Sequence, residues 1–290
     1  CMFYTIEELV QQADRDYQGN IAELMIATET ELTGRERPEI LSLMTRNLEV
    51  MKDSVQAGLS LEKSPTGLTG GDAAKLDTYI KRGKTLADSA VLGAARNAMA
   101  VNESNAKMGL VCATPTAGSA GCLPAVLTTA IEKLGLSQSQ QLDFLFTAGA
   151  FGLVIANNAS ISGAEGGCQA EVGSASAMAA AAITMAAGGT PFQASQAICF
   201  VLKNMLGLIC DPVAGLVEVP CVKRNAMGAS FALVAADMAL AGITSAIPVD
   251  QVVDAMYQVG SAMPTAFRET AEGGLAATPK GKALAKEIFG

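Results

Sequence analysis

Residues 108–202 are the most restrictive feature of this sequence, because 95 consecutive positions hold only five charged side chains. These five are Glu132, Lys133, Asp143, Glu165 and Glu171. A stretch so poor in charge cannot serve as solvated surface, so it forms either the core of a globular domain or a membrane region.

The longest apolar run, from Ala226 to Ile247, argues against the membrane alternative. Asp237 interrupts the run, which lacks the aromatic anchors and asymmetric Lys/Arg flanks of a spanning helix. The N-terminal segment is polar and contains no signal-peptide core. We therefore expect a cytoplasmic protein with a buried, uncharged core.

The composition indicates which side chains fill that core. Hydrophobic residues make up 50% of the chain, but aromatic residues make up only 4% and Trp is absent. Small aliphatic side chains must therefore fill the interior and let helices pack closely. A net charge of −8 and the lack of a basic stripe exclude a nucleic-acid partner.

Helix signals run along the whole chain and predict an all-α, compact, multi-helix domain over residues 1–290. Capping boxes at Thr5–Glu8 and at Thr190–Gln193 mark two helix starts. Residues 1–63 carry 12 acidic and 6 basic side chains, so we expect charged outer helices there. Residues 64–290 are expected to form the buried core, with Ala-rich helices over 174–188 and 224–246 and a polar loop over 157–173. A helical stretch over 72–104 and a short extended piece near residue 107 complete the prediction.

Two Gly- and Thr-rich loops interrupt this pattern, the first at residues 64–71 and the second at residues 114–119. Clusters of backbone N–H and hydroxyl donors near helix starts bind small anions such as carboxylates. Ordinary turns with helix caps would use the same residues, so the sequence leaves both interpretations open. The candidate binding residues are Ser64, Thr66, Gly67, Thr69, Gly70, Gly71, Thr114, Thr116, Gly118 and Ser119.

The cysteines fall into two groups. Met2 is the expected natural start, which leaves six cysteines after Cys1, and disulfides are not expected in a cytoplasmic chain. Cys112, Cys122 and Cys199 lie in apolar runs that are typical of a core. The others stand beside Gly or Pro in irregular segments, and they are Cys168, Cys210 and Cys221.

The spacing of these three cysteines is not that of a zinc site, since no CxxC pair and no histidine exist in the chain. Three thiolates without a fourth ligand suit an iron–sulfur cluster with one open iron. Three incidental loop cysteines remain the alternative on spacing alone.

Four motifs in order resemble the α subunit of the iron–sulfur-dependent L-serine dehydratases. They are "SPTGLTGGDAAKL", "ATPTAGSAGCLPA", "EGGCQAEVGSASAMAAA" and "CDPVAGLVEVPCVKRNA". The resemblance implies a lyase of amino-acid degradation and gluconeogenesis that converts L-serine to pyruvate and ammonia. It also implies an all-helical chain, a [4Fe–4S] cluster on Cys168, Cys210 and Cys221, and a β subunit that completes the active site.

The lack of histidine restricts the general base to a carboxylate, a lysine or another chain. Lys75 is a weak candidate, and the partner subunit is favoured. Lys223 and Arg224 are expected to face either the cluster or solvent, and Glu165, Gln169 and Glu171 are expected around Cys168. Two alternatives remain, namely β-elimination from threonine or cysteine and a non-catalytic helical protein that binds a small anion.

Overall fold

The computed structural model describes residues 3–290 and is all-α, as the sequence predicts; Cys1 and the expected start at Met2 lie outside it. Its thirteen α-helices are α1 Ile6–Tyr17, α2 Ile21–Thr33, α3 Arg37–Gly58, α4 Asp72–Lys81, α5 Ser89–Ala106, α6 Cys122–Leu134, α7 Gln138–Asn158, α8 Gly163–Gly166, α9 Ser174–Ala186, α10 Pro191–Met205, α11 Cys221–Leu240, α12 Val249–Ala262 and α13 Pro279–Phe289. Short 3₁₀ turns occur at Val213–Gly215, Thr265–Phe267 and Gly274–Ala277, and a π-helical turn at Gln169–Gly173.

Local capping fixes several helix starts. The Thr5 hydroxyl accepts from the Glu8 N–H, and the Glu8 carboxylate accepts from the Thr5 N–H in return. The same reciprocal pair occurs between Thr190 and Gln193, where Pro191 fills the first turn of α10. Both predicted capping boxes are therefore confirmed. These interactions depend only on neighbouring residues, which is why the sequence predicts them.

Helix α9 lies at the centre of the molecule. It packs against α6, α7, α10 and α11, and its residues from Ser174 to Thr184 are buried. Most of these side chains are alanine, so four helices can approach α9 closely without steric conflict. The charge-poor stretch is thus the core of the domain. Within residues 3–290, no helix is both long and apolar enough to span a bilayer.

Helices α3 and α5 cross in direct backbone contact at Gly58. A Cβ atom built on Gly58 would lie 1.8 Å from the carbonyl oxygen of Ala100. Any larger residue at this position would force the two helices apart. The crossing joins the charged outer helix α3 to α5, a helix that lies beside both predicted loops.

Four predictions differ from the observed structure. The helical stretch over 72–104 is divided into α4 and α5, and residues 107–121 contain no strand. Helix α11 begins at Cys221 rather than near residue 224. The predicted loop over 157–173 contains α8 and the π-helical turn. Gly166 in this segment packs closely against Gly260 of α12, because a Cβ on Gly260 would lie 2.9 Å from the Cα of Gly166.

Candidate functional site

Cys168, Cys210 and Cys221 lie at the ends of structural elements that meet in one place. Cys168 directly precedes the π-helical turn, and Cys221 is the first residue of α11. Cys210 is fixed by backbone hydrogen bonds to Phe267 and Glu269, each 2.8 Å long. Cys168 and Cys210 belong to one small buried cluster with Cys122 and Val172. Segments far apart in sequence therefore converge on a shared interior region.

The thiols are close enough to influence one another electrostatically. Burial raises the pKa of Cys168 and of Cys221 to about 12, with a further contribution from the nearby Glu171 carboxylate. Burial also raises the pKa of Cys210, as do the neighbouring Cys168 and Cys221. Thiols in such a region are protonated unless a positive group compensates the thiolate charge, as a bound metal does.

Three thiols could in principle bind either a single metal ion or an iron–sulfur cluster. Within residues 3–290, no group of three or more Cys, Asp or Glu side chains is spaced to hold one metal ion. A single tetrahedral ion needs every sulfur about 2.3 Å from one point. In a four-iron cluster each thiolate binds a different iron. Cys168, Cys210 and Cys221 are thus not arranged around a single ion, and they offer sulfur donors of the kind that such a cluster uses.

Arg224 lies against the thiol group and Lys223 does not. The Arg224 guanidinium hydrogen-bonds the Cys168 thiol, which partly opposes the rise in the pKa of that thiol. It also forms a 2.8 Å ion pair with the buried Asp211. Lys223 instead pairs with Asp72 at the surface. Of the two basic residues after Cys221, only Arg224 can affect the electrostatics of the sulfurs.

The hydroxyls of the first loop all donate to one internal carboxylate, that of Glu218. The Oγ of Ser64 and the Oγ1 of Thr69 each lie 2.6 Å from Oε2 of Glu218, and the Oγ1 of Thr66 lies 2.8 Å from Oε1. Glu218 is 5% exposed and stands three residues before Cys221. The first loop is thus attached directly to the segment that carries Cys210 and Cys221.

The end of the first loop binds a second internal carboxylate. The backbone N–H groups of Gly71 and Asp72 donate to the Glu103 carboxylate at 3.1 and 2.9 Å. Gly70 has φ +112° and a Cβ there would lie 2.3 Å from the carbonyl oxygen of Glu62, so only glycine fits. Gly67 lies at the exposed tip of the loop. The donors of this loop are therefore used largely by the protein itself.

The second loop contacts Glu171, next to the thiols. The Thr116 hydroxyl donates to the Glu171 carboxylate, and a Cβ on Gly118 would lie 2.3 Å from Glu171 Oε1. Burial raises the pKa of the Glu171 carboxyl. The Ser119 hydroxyl donates to the Thr114 carbonyl, while the buried Thr114 hydroxyl has no hydrogen-bond partner within residues 3–290. This loop retains one free polar group.

Asn225 joins the second loop to the start of α11. Its side-chain N–H₂ donates to the carbonyl oxygens of Gly118 at 2.7 Å and Cys221 at 2.9 Å. Its side-chain oxygen accepts from the Gly121 N–H at 3.1 Å. Both loops are therefore held against the same helix end, one through Glu218 and the other through Asn225.

The remaining candidate residues lie in less central positions. Lys75 is exposed and pairs with Asp72 at 3.1 Å. Glu165 accepts from Ser160 at 2.8 Å, and Gln169 bonds to the backbone of Gly207 and Met256. Cys199 is buried in α10 and Cys112 is half-buried beside Asn47, apart from the thiol group.

Three residues of this region were not among the site residues predicted from the sequence, namely Glu103, Glu218 and Asn225. A signal for Glu218 existed, because it is the one charged residue within the apolar run from Pro212 to Val222. Isolated carboxylates in such runs are either paired or functional. Glu103 and Asn225 have no comparable local signature, since their partners are distant in the chain.

The chain is similar in sequence to one protein family and to several of its named members. A family model described as "Serine dehydratase alpha chain" matches residues 16–276. The "Probable L-serine dehydratase, alpha chain" of Bacillus subtilis is 61% identical over 289 residues, which cover 100% of this chain and 96% of that protein. The "L-serine dehydratase, alpha chain" of Peptoniphilus asaccharolyticus is 40% identical over 93% of this chain and 92% of its own length. An "L-serine dehydratase" of Streptomyces coelicolor is 40% identical, and the match covers 94% of this chain but 60% of that protein.

Proposed function

The chain belongs to the serine dehydratase alpha chain family, and on that premise we propose that it is the α subunit of an L-serine dehydratase. The reaction is elimination of water from L-serine, followed by hydrolysis of the resulting enamine to pyruvate and ammonia. The observation that supports this site most strongly is that three cysteines far apart in sequence lie near one another in the fold, close to two hydroxyl-rich loops.

We assign Cys168, Cys210 and Cys221 as ligands of a [4Fe–4S] cluster. When bound, such a cluster supplies a Lewis-acidic iron for the β-hydroxyl of serine, an effect worth several kcal/mol. The protein's own residues prepare the region, because Arg224 stabilises negative charge on Cys168 and the surrounding apolar residues exclude water. The sulfurs come from three separate elements, so loading is coupled to local order there.

The two loops are proposed to hold the substrate. The second loop is the better anchor for the serine carboxylate, because the Thr114 hydroxyl has no hydrogen-bond partner within residues 3–290. The first loop is proposed to contact another part of the serine molecule, because its hydroxyl protons are directed at Glu218. Both loops meet at the start of α11, which brings these contacts within one site.

The general base is proposed to come from the β subunit. The chain has no histidine, and Lys75 is exposed and paired with Asp72. A lysine whose ammonium group already forms an ion pair is a poor general base for the α-proton of serine. A partner chain that covers the site could both supply the base and exclude water.

Cysteine variants test this proposal. Cys168→Ala, Cys210→Ala and Cys221→Ala should each abolish iron binding and its visible absorbance after anaerobic reconstitution, and pyruvate formation with it. Cys199→Ala is the matched control and should retain both, because Cys199 packs in α10 away from the other thiols. Full iron content in all three variants would disprove the ligand assignment.

Steady-state turnover separates the alternative functions. L-serine should give a higher kcat/KM than L-threonine or L-cysteine in the same assay. A reconstituted protein that binds small carboxylates but no iron would instead support a non-catalytic anion-binding protein.

A further inference from the structure

Glu218 is buried without a positively charged partner. Its side chain is 5% exposed, and it forms no ion pair with any residue in the range 3–290. Its partners there are the hydroxyls of Ser64, Thr66 and Thr69. Burying a carboxylate with neutral donors only is costly, since hydroxyls supply dipoles but no countercharge.

These hydrogen bonds also determine what the first loop can offer to a ligand. Each hydroxyl has a single proton, and Ser64, Thr66 and Thr69 direct theirs at Glu218. The Oγ of Ser64 and the Oγ1 of Thr66 also accept from the backbone N–H groups of Thr69 and Leu68. The lone pairs that remain make the loop a set of acceptors rather than donors. Three acceptor oxygens above a buried carboxylate suit a small cation and repel an anion.

Access to this group is from the side of Thr66. Ser64 and Thr69 are buried, whereas Thr66 is half-buried and adjoins the exposed Gly67. The backbone of Glu218 is fixed on the other side, where its carbonyl accepts from Val222 in α11 and Val213 bonds Val219. The carboxylate therefore keeps a fixed position relative to Cys221 while the loop tip remains accessible.

We propose that Glu218 and the hydroxyls of the first loop recognise the α-ammonium group of the amino-acid substrate. This inference rests on the proposed function and deepens it. L-serine has one ammonium and one carboxylate, and the second loop holds the free donor for the carboxylate. The two loops then contact opposite ends of the substrate, and both are attached to the segment around the start of α11.

The test compares L-serine with 3-hydroxypropanoate, which is serine without its ammonium group. In the reconstituted enzyme, Glu218→Gln should raise KM for L-serine by about 10- to 100-fold, the range of a charge-assisted hydrogen bond. The inhibition constant of 3-hydroxypropanoate should stay within about twofold of the wild-type value. Glutamine can still accept from and donate to hydroxyls, so the loop keeps its shape. Glu62→Gln, an exposed carboxylate beside the same loop, is the control and should change neither constant.

Three outcomes would overturn the inference. Equal losses for L-serine and 3-hydroxypropanoate would show that Glu218 only shapes the loop. Unchanged constants for both would remove it from recognition altogether, and a loss of kcat alone would assign it to the chemical step. If Glu218→Gln does not fold, as judged by circular dichroism, Thr66→Val removes one acceptor and must show the same selective loss for L-serine. A wild-type enzyme that does not act on L-serine contradicts the proposed function as well.

Discussion

Three buried carboxylates define the electrostatics around the loops. Glu103, Glu171 and Glu218 are each less than 9% exposed, and none forms an ion pair within residues 3–290. Each is instead bonded by a loop, Glu103 through backbone N–H groups and the other two through hydroxyls. Three carboxyl groups are therefore buried beside the loops without an ion-pair partner, so this region favours a bound cationic group over a second anion.

Glu103 makes the stability of the fold depend on pH. Burial raises the pKa of its carboxyl above the ordinary value, although the N–H groups of Gly71 and Asp72 partly oppose this. The folded protein therefore holds this proton at pH values where the unfolded chain has lost it, so the carboxyl's contribution to stability falls as pH rises through that window. Urea unfolding from about pH 4 to pH 7 should show the wild type losing stability relative to Glu103→Gln.

One result would contradict the prediction for Glu103. A free-energy difference between wild type and Glu103→Gln that is constant over this pH range would show that the carboxyl has the same pKa in both states. Glu165→Gln at the surface serves as the control and should give a flat difference.

Helices were predictable where the deciding interactions are local. The capping boxes at Thr5 and Thr190 involve residues three positions apart, and both begin helices as expected. The π-helical turn after Cys168 was not predictable, because the glycines just before it suggest a loop. Only the structure shows that one of them, Gly166, packs against Gly260 of α12. For the site, motifs indicated the three cysteines and both loops. The internal carboxylates that bind those loops are 32 to 154 residues away in sequence, beyond any local pattern.

The crossing of α3 and α5 gives a prediction for an element pair. Gly58→Ala should lower the free energy of unfolding by about 1–3 kcal/mol, because its Cβ would overlap the Ala100 backbone and force the helices apart. Gly93→Ala in α5 is the matched control. A Cβ there has no atom within 4 Å, so alanine should be neutral or stabilising by up to about 1 kcal/mol. Chemical denaturation measures both, and equal effects would contradict the close crossing.

At the scale of the whole molecule, the chain corresponds to part of some relatives and to nearly all of others. The match covers 96% of the Bacillus subtilis α chain but 60% of the Streptomyces coelicolor protein. The longer relatives contain a region that lies outside the match. The β subunit proposed above would supply an equivalent region to the enzyme.

This difference predicts how activity depends on the partner. The α chain alone, reconstituted anaerobically, should bind iron yet form pyruvate at least about 100-fold more slowly than the same chain co-expressed with a β chain, the loss expected without its general base. Pyruvate formation and iron content per α chain, measured in parallel, separate the two effects. Equal turnover with and without the β chain would place the base within residues 3–290.

The alanine-rich α9 makes the interior tolerant of substitution by small residues and intolerant of substitution by large ones. Side chains there are already close to the minimum size, so almost every replacement must add atoms where four neighbouring helices leave no space. Where α9 carries alanine or serine, substitution is therefore confined to glycine, serine and alanine, and engineering of the domain has to begin at its periphery.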